Sequence, residues 1–95
     1  MEDTIQVHVQ LYGAVQAMAG WVKQEMRVAR SSTVGDLFQA LYQADPSLKA
    51  LLVGEEQSLS ALVMVNSMDI KRREGIRTVL AEGDRIDIIA MISGG

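Results

Sequence analysis

The residues best suited to chemistry are the last three, Ser93, Gly94 and Gly95, which follow a run of mainly apolar residues. Because glycine has no side chain, such an arm can enter a narrow channel of another protein and present the carboxylate of Gly95 there. A carboxylate does not react with nucleophiles, but its attack on the α-phosphate of ATP converts it into an acyl adenylate. A sulfur nucleophile can then form a thiocarboxylate, which stores reduced sulfur. We therefore predict a flexible tail over 93–95 whose reactive group is the carboxylate of Gly95.

The rest of the sequence offers little catalytic chemistry of its own. It contains no cysteine, which excludes a disulfide, a thiolate nucleophile and a sulfur-ligated metal site. His8 is the only histidine and has no paired carboxylate close in sequence, so we interpret it as a surface strand residue. A separate activating enzyme would use the ATP. We therefore expect no bound cofactor and no metal.

The length and net charge of the chain indicate one domain and disfavour a nucleic-acid-binding protein. A chain of 95 residues predicts one domain over 1–95. The net charge of -3 disfavours nucleic acid as a partner, because nucleic-acid-binding proteins carry clustered positive charge. No window approaches the roughly 18 apolar residues of a membrane span, and the first four residues lack the basic start of a signal peptide. We expect no membrane association and a cytoplasmic location.

Hydrophobic periodicity predicts a hairpin followed by a helix. Apolar and polar residues alternate from Thr4 to Leu11, and again from Trp21 to Ala29, as in half-buried strands. The segment Ala14 to Gly20 between them is either a short helical turn or a wide loop. Thr33 and Asp36 have the spacing of a reciprocal N-terminal helix cap. The helix then carries an apolar stripe and ends before Pro46; the stripe consists of Val34, Leu37, Phe38, Leu41 and Ala44.

The second half of the chain predicts further strands. Ala61 to Val65 is almost continuously apolar, so it is central in the sheet or covered on both faces. Met68 to Ile70 is a short fourth strand, Lys71 to Gly75 a charged turn, and Arg85 to Ile92 the last strand. The first and last strands are both mainly apolar, which places them side by side at the centre. The predicted fold is α+β: a β-grasp with a mixed sheet of four to five strands and one main helix packed on one face.

One ordered set of short segments extends from Val7 to Gly95. In chain order the set after the first strand is Leu11-Tyr12-Gly13-Ala14-Val15, Gly20, Thr33-Val34-Gly35-Asp36-Leu37, Val63-Met64-Val65-Asn66, Leu80, Glu82-Gly83-Asp84, Arg85-Ile86-Asp87-Ile88-Ile89 and Gly94-Gly95. The set resembles the MoaD and ThiS family, the small subunit of molybdopterin synthase and the thiamin sulfur carrier. The resemblance implies a ubiquitin-like fold and a thiocarboxylate on the last glycine. It implies two partners: an adenylating enzyme of the ubiquitin-activating type, and a sulfur-accepting enzyme such as a molybdopterin synthase large subunit.

The function implied by this resemblance is a sulfur carrier, which is a protein substrate rather than an enzyme, although it could act as the small subunit of a molybdopterin synthase. Ala90-Met91-Ile92-Ser93 stands where the molybdopterin group often has proline, and Gln16 where a basic residue is common. Molybdenum or tungsten cofactor synthesis is the first pathway considered and thiamin synthesis the second. Two other functions stay open: a ubiquitin-like modifier joined to lysines through Gly95, and a β-grasp binding module in which the glycines are incidental.

Strand alternation also predicts a partner-binding surface. If Ile86 and Ile88 face the core, then Tyr12, Ile89 and Met91 form an exposed apolar patch beside the tail, suited to docking. The alternative is that Ala14 to Gly20 covers this face. Lys71-Arg72-Arg73 could contact an anionic partner, but such a run is more typical of a solvated turn.

Overall fold

The computed structural model describes residues 3–48 and 61–90, which form five strands and two α-helices together with short 3₁₀ helices. The α-helices and strands are β1 (Thr4–Gly13), α1 (Ala14–Ala19), β2 (Lys23–Ala29), α2 (Val34–Ala44), β3 (Ala61–Val65), β4 (Met68–Asp69) and β5 (Arg85–Ala90).

The predicted hairpin is formed by β1 and β2, paired antiparallel from Thr4 opposite Ala29 to Gln10 opposite Lys23. Alternate residues of β1 are fully buried. Compared with the prediction, β1 is longer at its end and β2 is shorter at its start. β1 continues to Gly13, whereas β2 begins at Lys23 and not at Trp21. Gly20 ends α1 with a left-handed φ of 80°. The chain changes direction there, and Trp21 and Val22 connect Gly20 to the start of β2.

The helix α2 begins with the predicted cap. The Asp36 N–H donates to Thr33 Oγ1 at 3.2 Å, and the Thr33 N–H donates to Asp36 Oδ2 at 2.9 Å. This reciprocal pair satisfies two backbone donors that the helix itself leaves unpaired. The helix α2 ends at Ala44, because Pro46 disfavours helical geometry in Asp45, which is extended. The 3₁₀ helix Pro46–Leu48 follows.

The sheet has the order β2-β1-β5-β3-β4. β1 and β5 are parallel neighbours at its centre, as predicted, and the other pairs are antiparallel, so the sheet is mixed. β3 is an interior strand between β5 and β4. The buried stripe of α2 and the inward rows of the strands form a single core, which comprises Ile5, Val7, Val9, Leu11, Val15, Val28, Val34, Leu37, Phe38, Leu41, Leu48, Val63, Val65, Ile70, Leu80, Ile86 and Ile88. This is the predicted β-grasp arrangement.

The connections around β4 and β5 differ in detail from the prediction. β4 ends at Asp69, because Ile70 begins a 3₁₀ helix and is buried. The predicted charged turn, Lys71 to Gly75, overlaps this 3₁₀ helix, Ile70–Arg72, and the start of a second one, Gly75–Arg77. Gly83 has the positive φ, 84°, expected of the tight reversal before β5. β5 is described as far as Ala90, so the last two residues of the predicted strand lie outside the described residues. In the described part of the chain, no helix is long and apolar enough to span a bilayer.

Candidate docking face and C-terminal tail

The outer face is the face of the sheet opposite α2, and its apolar part lies at one end. Tyr12 of β1 is paired with Ile89 of β5, and Ile89 is paired on its other side with Leu62 of β3. Paired residues point to the same face, so these three residues form one row across three strands. Tyr12 is 36% exposed, and Ile89 and Leu62 are half-buried. The structure therefore brings two of the three predicted docking residues together.

Leu62 belongs to this row but is absent from the sequence prediction. Because Ala61 to Val65 is apolar at every position, alternation within it does not show which side chains face outward. The pairing of Leu62 with Ile89 and the burial of Val63 settle this. The only signal in the sequence would have been the register between two strands that are about twenty residues apart.

The short helix α1 does not cover Tyr12. Its Val15 is fully buried in the core that α2 also contributes to. Gln16 Nε2 donates to the Leu11 carbonyl at 3.1 Å, which ties the helix back to β1. The 36% exposure of Tyr12 shows that its ring stays accessible in the described part of the chain.

Asp87 is a nearly buried carboxylate beside this row, with a side chain 5% exposed. Tyr12 Oη donates to Asp87 Oδ1 at 3.2 Å, and Arg85 Nε donates to Asp87 Oδ2 at 3.3 Å. Arg85 also donates through Nη2 to Ser67 Oγ at 2.9 Å. Removing a carboxylate from water is costly unless it is paired and hydrogen-bonded, and both conditions are met here. The network fixes the Tyr12 phenol over β5.

The environment of Tyr12 also changes its acidity. Partial removal from water raises the pKa of the Tyr12 phenol, and the negative charge of Asp87 and the hydrogen bond to it raise the pKa further. The cation of Arg85 acts in the opposite direction and lowers it. The phenol therefore stays a neutral hydrogen-bond donor at physiological pH.

The predicted tail, 93–95, begins four residues after Ile89 of this row in the sequence. Met91, Ser93, Gly94 and Gly95 lie outside the described residues. The last described pairs of β5 join Ala90 to Gly13 on one side and to Ala61 on the other. The described part of β5 therefore ends at the same end of the sheet as Tyr12 and Ile89.

His8, the histidine considered in the sequence analysis, has a partner on the neighbouring strand. His8 Nδ1 lies 3.5 Å from Glu25 Oε2 on the outer face, which fits a surface strand residue. Across residues 3–48 and 61–90, no three histidine, cysteine or carboxylate side chains are grouped so that they could hold a metal ion.

Several solved structures share this fold. The chain superposes on small archaeal modifier protein 1 (SAMP1) from Methanosarcina acetivorans with a TM-score of 0.77 and 26% identity, covering 97% of this chain and 98% of that one. Urm1 from Trypanosoma brucei gives a TM-score of 0.74 and 27% identity over 100% of both chains. A chain in the complex of subunits 1 and 2 of the molybdopterin-converting factor from Helicobacter pylori gives 0.58 and 20%, covering 96% of this chain and 100% of that one.

No curated protein matches the chain significantly in sequence. The model of the ThiS family, however, matches residues 9–95, which include the second half of β1, all of β2 to β5 and both terminal glycines. With its fold and this match, the chain belongs to the ThiS family, within the MoaD and ThiS group of ubiquitin-like sulfur carriers that the sequence resembles.

Proposed function

We propose that this chain carries sulfur as a thiocarboxylate on Gly95. The carboxylate of Gly95 attacks the α-phosphate of ATP in a separate enzyme of the ubiquitin-activating type, and pyrophosphate leaves. A sulfur nucleophile then attacks the acyl adenylate, and AMP leaves. The observation that carries this proposal is the extent of the family match, which runs through residue 95 and so includes the glycine pair.

In this reaction the chain is a protein substrate, and its own residues bind and position. β5, the strand that precedes the tail in the sequence, is hydrogen-bonded to β1 on one side and to β3 on the other. Tyr12, Ile89 and the predicted Met91, together with Leu62, would form the apolar surface that docks on the activating and accepting enzymes. The catalytic groups and the ATP site would belong to the activating enzyme.

We propose molybdopterin synthesis, for a molybdenum or tungsten cofactor, as the pathway, with a molybdopterin synthase large subunit as the acceptor. The resemblance of the sequence to the small subunit supports this choice. The likeness to a chain from the Helicobacter pylori complex is consistent with it in fold. Thiamin synthesis is the alternative, since the family model that matches is that of ThiS.

A ubiquitin-like modifier is a second candidate, favoured by the 26% identity to a protein named as a small archaeal modifier. The two functions differ in what happens to Gly95. A carrier is released with a free carboxylate after sulfur transfer, whereas a modifier remains joined to a lysine by an isopeptide bond. Denaturing gels of cell extracts separate them, because the isopeptide bond survives denaturation.

The decisive experiment incubates the full chain with ATP, the cognate activating enzyme and a sulfur donor, followed by intact-mass measurement. We expect an adenylate on Gly95 and then exchange of one terminal oxygen for sulfur. A variant lacking Gly94 and Gly95 should give neither product. Removal of Met1 and Glu2 is the matched truncation and should leave both products unchanged. Product formation by the variant without the glycines would refute the proposal.

A further inference from the structure

Positive charge is concentrated at one place in this acidic chain. Residues 69–77 contain four of the nine cationic side chains and two carboxylates, a net charge of +2. The whole chain carries -3, so the residues outside this segment carry -5. We call the four cations the basic pole: Lys71, Arg72, Arg73 and Arg77.

The basic pole differs from the other arginines in having no side-chain partner among residues 3–48 and 61–90. Among the residues that the structure describes, no ion pair or side-chain hydrogen bond engages any of its four side chains, and all four are exposed. Each arginine elsewhere does have an oxygen partner. Arg27 donates to Thr4 at 3.2 Å, Arg30 to Asp3 at 2.7 Å and Arg85 to Asp87 at 3.3 Å. The pole thus keeps its donors available to an outside group.

Two apolar side chains lie exposed within and beside the pole. Ile76 is 56% exposed and Val79 is 52% exposed, the highest values among the large apolar side chains in the described part of the chain. An open depression of about 380 Å³ lies beside them and is lined by Arg73, Glu74, Thr78 and Val79. The surface therefore combines cations with apolar side chains, as partner-binding surfaces do.

The backbone beneath this surface is held in place. Thr78 is buried, and its Oγ1 accepts the Glu74 N–H at 3.1 Å. The Thr78 carbonyl accepts the Val34 N–H at 2.9 Å, which ties the segment to the first turn of α2. The backbone of this surface therefore needs little ordering when a ligand binds, which lowers that part of the entropic cost of binding.

The segment that follows the basic pole is tied to the end of the sheet at which β1 begins. Val79 forms an isolated bridge with Thr33, which lies four residues after Ala29, and Ala29 of β2 pairs with Thr4 at the start of β1. Tyr12 and Ile89 lie near the opposite end of β1, where Gly13 pairs with Ala90, the last described residue of β5. A partner bound to this segment would therefore leave the docking face accessible.

We propose that the basic pole, with Ile76 and Val79, binds an acidic segment of a partner protein that carries apolar side chains among its carboxylates. Charge complementarity selects an anionic partner, and the two exposed apolar residues select one with apolar groups. Nucleic acid fits less well, because the segment has no aromatic side chain on which a base could stack and the rest of the chain repels phosphates. The proposal does not depend on sulfur transfer.

The test is an NMR titration of the isotope-labelled full chain with a short synthetic peptide that alternates glutamate and leucine. We expect amide shifts confined to residues 70–79 and an affinity that falls as salt increases. Two control peptides replace either the glutamates with glutamine or the leucines with serine. Each should bind roughly fivefold more weakly, because each lacks half of the recognised chemistry.

Charge reversal identifies the residues responsible. The double variant Arg72→Glu and Arg73→Glu should bind the glutamate and leucine peptide at least about tenfold more weakly, with the spectrum otherwise unchanged. Lys23→Glu, an exposed cation on β2, is the matched control and should bind within about twofold of the parent. No shifts at residues 70–79, or equal loss in the Lys23 variant, would overturn the proposal. Tighter binding of a single-stranded RNA of matched charge at the same amides would also overturn it.

Discussion

Truncation of Tyr12 tests the docking face most directly. Tyr12 is 36% exposed, and a tyrosine buries about 200 Å² when it is fully covered, so roughly 70 Å² remains for a partner to bury. At the usual free energy per area of apolar surface removed from water, this area corresponds to roughly a twentyfold change in affinity. We therefore expect Tyr12→Ala to raise the KM of the activating enzyme for this chain roughly twentyfold. The kcat should stay unchanged, since the ring would contribute equally before and during adenylation.

The assay is the initial rate of ATP-dependent adenylate formation at varied concentrations of carrier. Tyr12→Phe keeps the ring and loses only the hydrogen bond to Asp87, so its KM should lie within about threefold of the parent. Met68→Ala is the matched control, because Met68 is 48% exposed and lies toward the opposite end of the sheet. Its KM should not change. A fall in kcat at constant KM for Tyr12→Ala, or equal effects at Tyr12 and Met68, would refute the docking surface.

Three further predictions concern stability and acidity. Thr33→Ala removes the side-chain acceptor of the α2 cap, and we expect a loss of about 1 kcal/mol in the free energy of unfolding, measured by denaturant titration. Leu37→Ala leaves a cavity at a fully buried position between α2 and the sheet, and the same measurement should give a loss of about 3 kcal/mol; Gln39→Ala, on the exposed side of α2, is its control. Partial removal from water and the charge of Asp87 both raise the pKa of Tyr12, and Asp87→Asn removes the second cause, so the Tyr12 pKa should fall. The titration of Tyr12 is measured as the difference in tyrosinate absorbance between otherwise identical proteins with and without Tyr12→Phe. Because the folded chain keeps this proton to higher pH than the unfolded chain, the associated stability is present below pH of about 10 and is lost as the pH rises through the raised pKa. An unchanged absorbance titration in Asp87→Asn would contradict the assigned hydrogen bond.

Local patterns in the sequence were sufficient for most of the fold. The alternation in β1 and the Thr33 and Asp36 cap are short-range signals, because a strand face or a helix start is decided by residues within a few positions of one another. The central pairing of β1 with β5 also followed from sequence, since two mainly apolar strands are both buried most fully in the middle of a sheet. The bounds shifted by a few residues, at Gly20 because the glycine redirects the chain and at the end of β4 because Ile70 begins a 3₁₀ helix.

The docking face was less accessible to sequence reasoning, because it depends on register between distant strands. Leu62 and Tyr12 are fifty residues apart, and only the pairing of each with Ile89 places them in one row. Asp87 is the clearest example. A charged residue at an outward position in a strand is expected to be exposed to water. Tyr12 and Arg85 contact Asp87, however, and its side chain is 5% exposed. No single-sequence pattern reports such a side-chain network.

The central place of β5 has a mechanical consequence. Any force applied to the chain beyond Ala90 is directed along a strand that is hydrogen-bonded on both sides, to β1 and to β3. Pulling β5 out of the sheet requires the hydrogen bonds on both sides to break together. Within the described residues β2 is paired on one side only, with β1, so its hydrogen bonds can break one after another. A molecular motor that pulled on this end of the molecule would therefore stall more often than one that pulled on the hairpin edge.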